Sequence, residues 1–158
     1  MNSSNNGTWD LNFLPVMRFI DLKGVCSRPW KLLEAHPDYD AAKNKEDRTA
    51  ALHLVHCFLN SPENHTQLET LKQKFQCAII VPVHALEASG KNRIPKILAE
   101  YIGSFCNLDV DDKIVQTNSV QLTGTDEWHR FAYRPTFGGD VKPGQKYILV
   151  YDVFKEPG

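Results

Sequence analysis

A chain of 158 residues, 42% of them hydrophobic, is long enough to bury one core without disulfide or metal staples. Eighteen Lys and Arg against nineteen Asp and Glu leave a net charge of -1, which withholds the basic excess that nucleic-acid binding normally shows. No apolar run reaches the length of a membrane span, the first six residues carry no charged-then-apolar leader, and the four cysteines form no CxxC pair; a cytoplasmic chain with reduced thiols is expected.

Residues 9–22 are apolar-rich but mixed in spacing and interrupted by Pro15, which allows either a short hairpin or an extended segment. After the turn-rich His36-Pro37-Asp38-Tyr39-Asp40, the residues Ala50, Ala51, Leu54, Val55, Phe58 and Leu59 recur at helical spacing. Asn60-Ser61-Pro62 ends that helix, and Leu68, Leu71 and Phe75 predict a second over about 64–75. The β-branched run 77–83 is too short for a helix and reads as a strand buried on both faces, as in a parallel sheet. A loop at 84–92 leads to a helix marked by Ile94, Ile97, Leu98, Tyr101 and Ile102, with Pro95 in its first turn and Gly103 as its stop. A short strand is predicted at about 113–117, and a second buried strand at 146–153 after the Pro143-Gly144 turn. This order argues for an α/β fold, a partly parallel sheet with flanking helices. Residues 1–75 form an appendage with helices, and residues 76–158 form the core.

In such sheets ligands sit beyond the carboxyl ends of the strands. Two loops leave such ends, one at 84–92 and one beginning at Asp152. The first closes with Gly90-Lys91-Asn92 at a helix start, where backbone N–H groups bind anions well; the plainer reading is an ordinary strand-to-helix connection.

The stretch Tyr147-Ile148-Leu149-Val150-Tyr151-Asp152-Val153-Phe154 resembles the phosphoribosyl-pyrophosphate signature of type I phosphoribosyltransferases, and the loop ending Ser89-Gly90-Lys91-Asn92 is similar to that family's pyrophosphate loop. Arg134-Pro135 is also in keeping, and the resemblance covers about 76–154. It implies a type I phosphoribosyltransferase-like core lacking its C-terminal part. Asp152 would hold ribose hydroxyls, and Gly90, Lys91 and Asn92 would contact pyrophosphate. His84 and Arg134 would complete the substrate site, with Mg²⁺ on the pyrophosphate if the chain is active and no cofactor otherwise.

Two departures weigh against activity. Tyr151 stands where the first of two acids belongs, and Lys155-Glu156-Pro157-Gly158 stands where a Thr- and Gly-rich phosphate loop would run. The expected function is therefore a degenerate phosphoribosyltransferase-like protein binding phosphoribosyl pyrophosphate or a nucleotide weakly. The alternative is a non-catalytic protein-interaction module that keeps the sheet and not the active site. A chain ending soon after strand 146–153 would leave one face or edge of that strand exposed, which the N-terminal region 9–75, a second copy or a partner protein must cover.

Other candidates carry bland readings. His53 and Cys57 lie four apart on one helix, a metal-ligand spacing, with His56 beside them; without a second pair in view, a helix flank packed into the core is the better expectation, and no metal is assigned. Asp109, Asp111 and Asp112 lack the glycine and glutamate of a calcium loop and read as a solvated turn. His84, at a strand's carboxyl end, is placed for a general base, and Trp128-His129-Arg130 for stacking on a base and holding a phosphate.

Overall fold

The computed structural model describes residues 33–83, 90–116 and 137–151, together with the backbone of short strands at 16–18 and 86–87. In chain order the elements are β1 Val16–Arg18, α1 Tyr39–Asn44, α2 Arg48–Leu59, α3 Pro62–Lys74, β2 Ile79–Pro82, β3 Leu86–Glu87, β4 Gly90–Lys91, α4 Ile94–Cys106, β5 Val115–Gln116, β6 Phe137–Gly138 and β7 Tyr147–Tyr151. The fold is α/β. Its main sheet has the order β1-β7-β2 with both pairings parallel.

The last described strand is thus the central one. Val16 to Arg18 pair with Leu149 to Tyr151 on one side of β7, and Ile79 to Pro82 pair with Tyr147 to Val150 on the other. The extended option for 9–22 is the one that occurs at 16–18. Both edges of β7 are taken within the chain, so the open-edge reason for a second copy or a partner no longer attaches to that strand.

Pro82 is accommodated by the alternation of hydrogen-bonding directions along β2. The amides of Ile79 and Val83 donate to Lys146 O and Val150 O at 2.9 Å, facing β7, whereas the Ile80 amide donates the other way, to Asp109 O at 2.8 Å. Pro82 shares the direction of Ile80, so its missing N–H falls on the outer side and removes no bond to β7. Outside β2 the chain at Val110 makes a parallel bridge with Ile80, closed by the Asp111 amide on Ile80 O at 2.8 Å.

Strand alternation separates two apolar faces. Ile80, Ile148 and Val150 point into a core shared with Leu33, Ala51, Leu54, Val55 and Leu59, with Leu68 of α3, and with Ile94, Ile97, Leu98 and Ile102 of α4. Residues from both sides of the 75/76 boundary therefore enter one cluster. Val81, Val83, Tyr147 and Leu149 face the opposite way and pack with Ile114, Val141 and Tyr151.

The helices begin where capping chemistry allows. Asp47 caps α2, its carboxylate accepting from the Ala50 amide at 3.0 Å. Ser61 caps α3, accepting from the Asn64 amide at 3.2 Å, with Pro62 in the first position, so α3 starts before the expected 64. Replacing Asp47 with Ala is expected to cost about 1 kcal/mol, read as a fall in the thermal midpoint with no change in the cooperativity of melting.

Two expectations need correction. The helix placed at 94–102 runs on through Gly103 to Cys106 and ends at Asn107, whose φ of 55 and ψ of 50 give the left-handed cap. Gly103 is an approach point: a Cβ there would lie 2.7 Å from Val110 Cγ2 and 2.9 Å from Leu108 O. The strand placed at 113–117 exists as β5, but it pairs antiparallel with β6, outside the main sheet. The turn before β7 is as expected, with Pro143 second, Gly144 third at a φ of 78, and the Gln145 amide reaching Lys142 O at 3.2 Å.

Candidate functional site

Because β1, β7 and β2 are parallel, their carboxyl ends lie along one edge of the sheet. Tyr151 closes β7 there. It is half-buried and packs against the Val81, Ile114 and Leu149 cluster. Burial pushes its hydroxyl up from 10.0 to about 12. The unfolded chain releases this proton near 10.0 while the folded chain holds it to about 12, so its stabilising contribution is full below pH 10 and lost as the pH rises toward 12. Alkaline denaturation followed by tyrosinate absorbance is expected to be less steep in that window for Tyr151→Phe. Asp152, His84 and Arg134 lie outside the described residues, as do Trp128, His129 and Arg130.

Within 84–92 the described residues pair antiparallel, with Leu86 opposite Lys91 and Glu87 opposite Gly90. Gly90 and Lys91 thus stand in a short strand pairing where an open loop was expected. Asn92 is buried, and its Oδ1 accepts from the Ile94 amide at 3.0 Å, the very donor that a phosphate at this helix start would use. The Arg93 amide donates to Ala42 O at 3.1 Å, and Pro95 offers no N–H. The Arg93 Nη2 pairs with Glu46 Oε2 at 3.2 Å, and its Nε is buried without a hydrogen-bond partner among the described residues. At the N-terminus of α4 the Ile94 and Arg93 amides are thus engaged within the chain, whereas the Arg93 Nε is not.

The carboxylates of Asp111 and Asp112 have local partners. The Asp109 carbonyl and the Asp111 amide bond Ile80, Asp111 Oδ1 accepts from the Lys113 amide at 2.9 Å, and Asp112 pairs with Lys96 at 2.7 Å.

A different cluster is assembled elsewhere. His53 and Cys57 are exposed on α2, so the expectation of a flank packed into the core is corrected. Facing them is the turn before α1, which brings His36 and Asp38. One ligand atom each from His36, His53 and Cys57 lie within 4.8 Å of one another. Asp38 Oδ2 contacts His53 Nδ1 and lies 3.9 Å from His36 Nδ1. The Asp38 amide donates to His36 Nδ1 at 3.2 Å, and the two imidazoles meet edge to face with centroids 5.7 Å apart. His56 is not a member; its ring packs edge-on against Tyr101. The helical spacing of His53 and Cys57 was legible in the sequence. No spacing rule joins 36–38 to 53–57, because that contact depends on how α1 folds back on α2.

The class of protein these observations define is a small α/β unit with a parallel sheet, in which the Arg93 and Ile94 amides at the start of α4 are engaged within the chain. No family model and no solved structure matches the chain. It is similar to a protein of Escherichia coli named "Protein TraN", 43% identical over 126 residues, which is 80% of this chain and 28% of that one. It is also similar to an "Uncharacterized protein" of Haemophilus influenzae, 45% identical over 75 residues, 48% of this chain and 17% of that one. The chain therefore spans less than a third of the curated relatives it matches. Neither name is that of a phosphoribosyltransferase. The resemblance to that family is overturned, and with it the transferase, glycosyltransferase and nucleotide-metabolism roles it implied. Among the described residues, no helix is long and apolar enough to cross a membrane.

Proposed function

We propose that the chain is a non-catalytic protein-interaction module built on a small α/β sheet. One observation carries this reading: at the helix start where an anionic substrate would be held, the Ile94 amide is taken by Asn92 and the Arg93 amide by Ala42. An enzyme of phosphorylated substrates keeps such donors free to meet charge. The comparison adds weight, since a segment covering 80% of this chain recurs as 28% of a longer protein, as an attached module does.

The test is chemical cross-linking in cells producing the tagged chain, followed by mass spectrometry. The same small set of protein partners is expected in replicates, cross-linked through a confined group of lysines. Scattered cross-links without a recurrent partner, together with turnover of a phosphorylated small molecule by the purified chain, would overturn the reading.

A further inference from the structure

We propose that His36, His53 and Cys57 form a site for a divalent zinc-class metal ion, with Asp38 positioning His53. The proposal stands apart from the interaction reading and depends on none of its observations. Two imidazoles and one thiolate are a donor set that borderline-soft Zn²⁺ prefers, and three protein ligands leave one tetrahedral position for water. His53 and Cys57 are one helical turn apart, which puts both on the same face of α2. The ligand atoms already lie within 4.8 Å of one another, and an ion with metal bonds of about 2.0–2.3 Å would draw them closer.

The surroundings support the same assignment. A metal-bound histidine commonly hands its other ring nitrogen to a carboxylate, which fixes the tautomer and the ring plane. Asp38 Oδ2 does this at His53 Nδ1, leaving Nε2 for the ion. Metal binding has a definite local exchange at His36: the Nδ1 lone pair that accepts the Asp38 amide at 3.2 Å is given to the ion, while Nε2 keeps its proton. Cys57 must lose its thiol proton to bind, so one proton is released to solvent as the metal–sulfur bond forms. The ion would tie the turn before α1 to the middle of α2, two segments that meet through Asp38 and His53 in its absence.

The experiment is titration of the metal-free chain with Zn²⁺ against a chromophoric chelator, with Co²⁺ as a spectroscopic substitute. One ion per chain is expected, with a thiolate-to-cobalt charge-transfer band and proton release. His36→Ala, His53→Ala and Cys57→Ser should each weaken binding by more than the roughly 10- to 100-fold loss expected for Asp38→Asn. Cys57→Ser should also abolish the charge-transfer band, and His56→Ala should change neither quantity. Because the His53 and Cys57 side chains are exposed, their variants are expected to keep the native circular dichroism, whereas His36 is partly buried against Phe58, so the fold of each variant is checked alongside. Binding no tighter than that of the variant lacking all three ligands, or binding lost in His56→Ala and kept in His36→Ala, would overturn the proposal.

Discussion

Replacing Ile148 with Ala is expected to destabilise the chain by about 2–5 kcal/mol, lowering the thermal midpoint on the order of 10 °C. Ile148 is fully buried in the central strand, opposite Ile80 in the register, and its side chain enters the core shared with the helices. The sheet backbone cannot close the resulting void, because β7 is pinned to a neighbour on each side. Leu52→Ala on α2 is the control, since Leu52 is 38% exposed and its truncation is expected to stay within about 0.5 kcal/mol. Equal midpoints for the two variants would mean that β7 is not the middle of the core.

Gly103→Ala is expected to cost about 1–3 kcal/mol despite the better helix propensity of alanine. The added Cβ meets Val110 Cγ2 at 2.7 Å and Leu108 O at 2.9 Å. The first contact is with a stiff β-branched side chain and the second with backbone, so neither yields cheaply. Val110→Ala removes only the first. The double variant should therefore recover part of the loss, giving a favourable coupling in a denaturation cycle. A stabilised Gly103→Ala would show that α4 does not pack against 108–110 as closely as described.

The elements whose signal is local were legible in the sequence. The two apolar runs became β2 and β7, buried on both faces, because continuous β-branched stretches have no solvent side to offer. The helical spacing of Leu54, Val55 and Leu59 and of Ile94, Ile97 and Ile102 gave α2 and α4. What failed depended on contacts distant in sequence. Gly103 looks like a helix stop until the chain at 108–110 is seen against it, and 84–92 looks like an open loop until its two strands pair. The partner of β7 at 16–18 is far away in the chain, so strand 146–153 read as an open edge. The candidate metal site divides the same way. The spacing of His53 and Cys57 showed one half of it, and only the fold of α1 on α2 supplied His36 and Asp38.

Whether the start of α4 holds a phosphate is tested most directly by amide NMR of the chain titrated with phosphoribosyl pyrophosphate and Mg²⁺. The resonances to follow are those of Asn92, Arg93, Ile94 and Lys96. No saturable shift is expected at these amides, because the Arg93 and Ile94 N–H groups are bound to Ala42 and Asn92. Saturable shifts centred on those residues would contradict this expectation and return the start of α4 to the role of an anion site.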